Sequence, residues 1–64
     1  MKKTQVKKVN QGTYFKLTES EKAPVWVRGE FSREAQKYSC YKFDDVNHDK
    51  LMKGTQTIFV DFEF

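Results

Sequence analysis

Hydrophobic and polar residues alternate with a period of two along much of the chain, and this pattern predicts β-strands rather than helices. The alternation is strongest over residues 55–64, where Ile, Val and Phe side chains occupy every second position from residue 58 onward. Residues 25–31 and 38–43 show similar patterns. The charged connector 32–37 between them predicts a hairpin with a loop of about six residues.

Weaker signals predict the remaining elements. The apolar residues at 14, 15 and 17 follow Gly12 and indicate a further strand, and Gly29 inside the second strand predicts a β-bulge. Residues 44–51 are acidic and lack strand character, so they predict one helical or 3₁₀ turn capped by an aspartate. Lys53 and Gly54 mark a turn before the last strand.

These elements favour an all-β fold built as a small SH3-like barrel of about five strands. A flat sheet of this size would leave one apolar face in water and two bare edges, and closure into a barrel removes both problems. A compact OB-like or other meander sheet is the alternative. We expect residues 9–64 to form this single domain. The side chains predicted to be buried in it are Phe15, Leu17, Val25, Val27, Phe43, Ile58 and Val60.

The size and composition of the chain set limits on its compartment and stability. Sixty-four residues form one domain at most, and its core has to come from the ten aromatic side chains. Cys40 is the sole cysteine, so the domain has no intramolecular disulfide of the kind that small secreted domains need. The sequence contains no apolar run suited to a signal peptide or a membrane span. We therefore expect a cytoplasmic protein with no membrane association.

The positive net charge is concentrated at one end of the chain. Four lysines lie within the first eight residues, whereas the other 56 residues carry 8 Lys or Arg against 9 Asp or Glu, a net charge of −1. This distribution predicts a flexible basic arm over residues 1–8 that could contact phosphates or an acidic partner. The lysines of this arm are Lys2, Lys3, Lys7 and Lys8. The nearly neutral remainder favours a protein partner over nucleic acid.

Three segments carry a resemblance to a group of known proteins. They are Gly12-x-Tyr14-Phe15-x-Leu17, Val25-Trp26-Val27-Arg28-Gly29-x-Phe31 and Lys37-Tyr38-Ser39-Cys40-Tyr41-x-Phe43-Asp44-Asp45-Val46-Asn47. Together they resemble short uncharacterised proteins of gut bacteria and their mobile elements or phages. The resemblance implies an accessory protein with an SH3-like barrel, and it implies no catalytic residues. The chain lacks the acidic-aromatic start and the Trp-Trp pair of peptide-binding SH3 domains.

The sequence offers little for catalysis or for metal binding. Asp45, Asn47 and Asp49 match the first three ligand positions of an EF-hand loop, but Lys50 and Gln56 occupy the positions that need Gly and Glu. One Cys and one His cannot supply the four ligands of a zinc site. Those two residues are also the only pair that could combine a nucleophile with a base, and neither position favours it. We therefore expect no enzyme activity, no cofactor, no metal and no small-molecule substrate.

A binding surface is the remaining functional hypothesis. If Trp26 and Arg28 face away from the core, they form an aromatic and cationic sheet face with Tyr41 and Lys42 on the paired strand. Trp26 can equally be the central ring of the core, and the sequence leaves both interpretations open. The first hypothesis is an accessory or regulatory module that binds a protein through this face. Single-stranded nucleic acid is the alternative ligand, and assembly through the C-terminal strand, giving a homodimer rather than a monomer, is the second alternative.

Overall fold

The structure is a computed structural model that describes residues 1–62. It contains two antiparallel sheets, of which one has the strand order β1-β6 and the other has the order β2-β3-β4-β5. A single 3₁₀ turn, Val6–Lys8, follows the first strand. The prediction of an all-β fold with about five strands is confirmed. The strands are β1 (Lys2–Gln5), β2 (Tyr14–Phe15), β3 (Trp26–Ser32), β4 (Lys37–Lys42), β5 (Asp45–Met52) and β6 (Thr57–Val60).

One residue pair joins the two sheets. Lys16, directly after β2, exchanges two backbone hydrogen bonds of 2.9 Å with Phe59 of β6. The Lys16 side chain is also buried, and its Nζ donates to the carbonyl oxygens of Ser20 and Glu21 at 3.4 and 3.0 Å. These bonds fix the loop after β2 against the sheet. Both sheets contribute to the one core, which consists of Val6, Phe15, Trp26, Cys40, Met52, Ile58 and Val60.

The helical turn predicted near residues 44–51 is wrong, because this segment forms most of β5. Phe43 and Asp44 make a tight turn after β4, and the chain then returns antiparallel to it. The Asp45 carboxylate accepts a hydrogen bond from the Asn47 backbone at 3.3 Å and caps no helix. The strand is polar because it is an edge strand, exposed along almost its whole length.

Residues 1–8, expected to form a flexible arm, are instead packed into the domain. Strand β1 pairs with β6 in register, with Lys2 opposite Val60 and Gln5 opposite Thr57. The side chain of Val6 is completely buried in the core. The four lysines of this segment remain exposed, so the positive charge lies on β1 and on the 3₁₀ turn.

The C-terminal strand is partly covered on both edges in the described part of the chain. Strand β6 pairs with β1 along one edge and has a bridge from Phe59 to Lys16 on the other, which leaves little free edge for the assembly that the sequence predicts there. The strand also ends earlier than the sequence predicts, because Asp61 adopts a positive φ of 60°. The last two residues of the predicted strand, Glu63 and Phe64, lie outside the described residues.

The prediction of buried side chains is confirmed for Phe15, Val27, Ile58 and Val60 and is wrong for Phe43. Phe15, Ile58 and Val60 are buried in the core, whereas Phe43 is 48% exposed. Leu17 and Val25 are half-buried. Val27 is buried but lies outside the core cluster, and its position is important for the site described below.

Candidate functional site

Trp26 lies inside the protein and cannot act as an exposed contact residue. Only 6% of its surface is accessible, and it belongs to the core cluster. His48, from an irregular segment of β5, packs edge to face against its indole ring with centroids 5.7 Å apart. Of the two positions that the sequence allows for Trp26, the structure therefore has the core position.

The residues predicted to share a face with Trp26 are divided between two sides of the sheet. Arg28 is the cross-strand partner of the fully buried Cys40, and Lys42 is the partner of Trp26, so both lie on the core side. Tyr41 is half-buried and points to the opposite, outer side, because successive side chains of a strand alternate. The predicted combination of Trp26, Arg28, Tyr41 and Lys42 on one surface is therefore wrong.

The outer side of the four-stranded sheet carries an aromatic surface of its own. Val27 lies between its cross-strand partners Tyr14 and Tyr41, and only 4% of its surface is accessible. Tyr14 packs edge to face on Phe43 with ring centroids 5.4 Å apart. These two rings keep 45% and 48% of their surface exposed. We call Tyr14, Val27, Tyr41 and Phe43 the outer aromatic surface.

The edge of the outer aromatic surface toward β5 is polar and concave. Asp49 is the cross-strand partner of Tyr41, and Leu51, which is 49% exposed, is the partner of Ser39. A shallow cavity of about 360 Å³ is lined by Ser39, Asp49, Lys50 and Leu51. The charged side chain directly beside Tyr41 is thus acidic, and the cavity offers space for one side chain of a partner.

A second aromatic cluster lies on the core side, beyond the core itself. The Arg28 guanidinium stacks over the Tyr38 ring at 4.4 Å, and Phe31 packs against the same ring with centroids 4.9 Å apart. The bulge predicted at Gly29 is confirmed between Arg28 and Phe31. It brings both residues onto one side of the sheet, although three positions separate them. We call Arg28, Phe31 and Tyr38 the arginine stack.

Cys40 is fully buried, and its surroundings disfavour the thiolate. Burial raises the pKa of the Cys40 thiol above its ordinary value of 9.0, while a backbone hydrogen bond with Gly29 and the charge of Arg28 act in the opposite direction. The thiol itself lies 3.8 Å from the Tyr38 carbonyl oxygen, to which it donates. A neutral and covered thiol is a poor nucleophile, since the reactive form is the thiolate.

We expect native Cys40 to react with a disulfide reagent such as DTNB roughly tenfold or more slowly than the unfolded chain.

The raised pKa of Cys40 also predicts how the stability of the protein depends on pH. The stability due to the protonated thiol is complete below the unfolded pKa and is lost as the pH rises through the folded value. Urea titrations from pH 8 to 11 should therefore show a fall above pH 9 that is smaller in Cys40→Ala. An equal fall in both proteins would contradict the assignment.

Comparisons with protein-family models, with curated proteins and with solved structures found no match to this chain. No helix in the described part of the chain has the length and hydrophobicity that crossing a membrane requires. Across residues 1–62, His, Cys, Asp and Glu side chains form no group of three or more that could hold a metal ion.

The sequence also contains a signal for the outer aromatic surface. If Cys40 faces the core, the alternation along β4 places Tyr41 and Phe43 together on the outer side. If Phe15 faces the core, the same alternation along β2 places Tyr14 on the outer side. These two assumptions together place three of the four residues of this surface.

Proposed function

We propose that this protein is a small, non-enzymatic binding module, and that its outer aromatic surface docks on a protein partner. The observation that carries the proposal is the continuous row of Tyr14, Val27 and Tyr41 across three strands, extended by Phe43. Contiguous apolar groups on the outside of a soluble protein often mark an interaction site, and tyrosine is among the residues that dominate binding energy in protein interfaces.

The charge beside this surface favours a protein over a nucleic acid. Asp49 lies next to Tyr41, and Asp44 follows Phe43 in the turn after β4. Phosphates would be repelled by these carboxylates, whereas a protein surface with an apolar centre and basic groups at its rim would complement them. The lysines of residues 1–8 belong to β1 and the 3₁₀ turn, which are not part of the four-stranded sheet.

The resemblance to short proteins of gut bacteria and their mobile elements or phages favours an accessory or regulatory role in the cytoplasm. A domain with a single, buried and reduced cysteine is compatible with that compartment. In this proposal the protein acts by covering a surface of its partner, and the cavity beside Leu51 receives one side chain of that partner.

The test is site-specific photo-crosslinking in the native host, with p-benzoylphenylalanine at position 43 and, as the matched control, at position 31. Both native side chains are 48% exposed, but only Phe43 belongs to the outer aromatic surface. We expect one discrete protein adduct from position 43, suppressed by excess wild-type protein, and none from position 31. The purified partner should bind wild type at least about tenfold more tightly than Tyr41→Ser.

Two results would contradict the proposal. One is an identical set of adducts from positions 43 and 31, which would indicate nonspecific contact. The other is an unchanged affinity of the identified partner for Tyr41→Ser, provided that this variant gives a native amide spectrum. An adduct with a second copy of the chain would instead support assembly through this face, and the proposal of a different protein partner would be wrong.

A further inference from the structure

The arginine stack has an unbalanced positive charge. Arg28 is half-buried, and its Nε is covered and has no hydrogen-bond partner. Within residues 1–62 its guanidinium forms no ion pair with a carboxylate, and it stacks on the Tyr38 ring. A partly desolvated charge without a counter-ion is unfavourable, so an anion bound here would be stabilised.

Further cations lie around the same ring. Gly54 approaches Tyr38 so closely that a methyl group at Gly54 would lie 3.2 Å from Tyr38 Cε1 and 3.2 Å from the Cβ of Lys7. The Lys7 backbone also donates to the Gly54 carbonyl at 3.1 Å. Lys53 precedes Gly54, and the side chains of Lys7 and Lys53 are exposed. The turn at Gly54 thus brings two lysines to the side of the arginine stack.

The cross-strand row of Arg28 and Cys40 also contains Lys50. Cys40 pairs with Arg28 on one side and with Lys50 on the other, so the two cations lie on the same face, roughly 10 Å apart. Glu30, exposed in the bulge next to Phe31, is the acidic residue nearest along β3. Lys50 belongs to the edge strand and also lines the cavity of the outer side, so the cations nearest the arginine stack are Arg28, Lys7 and Lys53, in contrast to the acidic border of the outer aromatic surface.

Phe31 supplies an exposed apolar ring at this positive site. It is 48% exposed although it packs on Tyr38, so part of its ring is open to a planar ligand. An aromatic ring beside several cations is the combination that holds single-stranded nucleic acid, in which bases stack and phosphates contact lysine and arginine. The 3₁₀ turn beside Gly54 carries Lys8 as well as Lys7, and the preceding strand β1 carries Lys2 and Lys3, whose side chains are exposed.

From this arrangement we propose a second binding site, at which the arginine stack binds a nucleotide unit of single-stranded DNA or RNA. The base stacks on Phe31, the nearest phosphates contact Arg28 and Lys7, and neighbouring phosphates contact the lysines of β1 and the 3₁₀ turn. The site lies on the opposite side of the four-stranded sheet from the outer aromatic surface. It is therefore independent of the protein partner proposed above, and the two proposals can fail separately.

The test is a fluorescence anisotropy titration of the full chain with labelled eight-nucleotide oligo-dT and oligo-U at low and moderate salt. Amide and Arg Nε–H shifts are recorded in parallel. We expect shifts at Phe31, Tyr38 and Arg28, and an affinity reduced about tenfold or more in Phe31→Ala. Phe43→Ala, with equal exposure on the other side of the sheet, should bind like wild type.

A second pair of variants keeps the result interpretable if Phe31→Ala disturbs the fold. Arg28→Lys retains the charge but loses the planar stacking group, whereas Arg33→Lys makes the same change in the exposed hairpin turn. We expect weaker binding only for Arg28→Lys. Titration with free adenosine monophosphate distinguishes a free nucleotide from a nucleic-acid strand as the ligand. If adenosine monophosphate causes the same amide shifts as the oligonucleotides, the site binds single nucleotides. If only the oligonucleotides cause these shifts, the site requires a strand.

The proposal is overturned if neither oligonucleotide binds at low salt. It is also overturned if Phe31→Ala and Arg28→Lys, both folded, bind as tightly as wild type and binding disappears at moderate salt. That second result would mean nonspecific attraction by the lysines of residues 1–8, because counterion release alone gives strong salt dependence.

Discussion

Replacing Phe15 by alanine should lower the free energy of unfolding by about 3–5 kcal/mol, the usual cost of removing a fully buried phenylalanine. Phe15 has no accessible surface and is the largest fully buried side chain. It pairs with Trp26 across β2 and β3, next to the position where Lys16 connects the two sheets. The cavity left by its ring would open where both sheets meet, so neither sheet alone can close it.

This loss is comparable to the whole stability of the domain. Natural domains are stable by about 0.05–0.15 kcal/mol per residue, which gives about 3–10 kcal/mol for 64 residues. Urea denaturation followed by the fluorescence of the buried Trp26 measures the effect directly. Phe15→Leu should cost less than about 1.5 kcal/mol and keeps the measurement possible if the alanine variant is unfolded.

Phe43→Ala is the matched control for this prediction. The sequence places Phe43 in the core, and a core position would make its truncation as costly as that of Phe15. In the structure Phe43 is 48% exposed, and we expect its replacement by alanine to cost less than about 1 kcal/mol. Similar losses for Phe15→Ala and Phe43→Ala would mean that the assignment of inner and outer faces is wrong.

The strands that bury one face could be predicted from the sequence, and the exposed edge strand could not. The period-two segments at 25–31, 38–43 and 58–60 were predictable because burial on one side imposes alternation on a strand. Strand β5 was not, because Asp45–Met52 is an edge strand whose residues are mostly polar and almost all exposed. Its strand conformation comes from pairing with β4, a tertiary effect that overrides the low β-propensity of Asp and Asn.

The first eight residues illustrate the same limit. Their lysines are typical of a solvated terminus, and only Val6 and Val9 indicate otherwise. Val6 is buried because Gln56 and Gly54 accept hydrogen bonds from the backbone of residues 6 and 7 and so position the 3₁₀ turn over the core. These contacts connect the two ends of the described chain, and no local sequence pattern reports such a distant pairing.

The candidate sites were half predictable. The sequence predicts aromatic and arginine side chains on the hairpin of β3 and β4, where the structure has both aromatic surfaces, and it predicts the bulge at Gly29. It does not fix which side each residue faces, because the bulge reverses the alternation within β3. Arg28 and Phe31, which have opposite parity in the sequence, therefore share a side with Tyr38, and Trp26 is enclosed by the core.

Substitution of Gly29 should also lower the free energy of unfolding substantially. A Cβ at this position would overlap the backbone carbonyl oxygen of Ser39 and lie 3.2 Å from its carbonyl carbon. A backbone atom cannot rotate away as a side chain can, so β3 and β4 would have to separate at the bulge. We expect Gly29→Ala to cost about 1–3 kcal/mol or more, measured by the same urea titration.

Two other glycines separate this mechanism from the general effect of replacing glycine. Gly12 has a φ of +91° but open space around its Cβ position, so Gly12→Ala should cost about 1 kcal/mol through backbone strain alone. At Gly54 the neighbours within 3.2 Å are the side chains of Lys7 and Tyr38, which can shift. If Gly29→Ala costs no more than Gly12→Ala and Gly54→Ala, close approach to Ser39 does not control this position.

The Gly29 substitution also links stability to the thiol and to the arginine stack. The backbone hydrogen bond of Gly29 lowers the pKa of Cys40 and so partly opposes the increase caused by burial. The bulge at Gly29 also places Arg28 and Phe31 beside Tyr38. Opening the bulge should therefore speed the reaction of Cys40 with DTNB and weaken oligonucleotide binding in the same variant. The outer aromatic surface lies on the other side of the sheet, so crosslinking from position 43 should survive. Loss of that crosslinking in a folded Gly29→Ala protein would mean that the two surfaces are not independent.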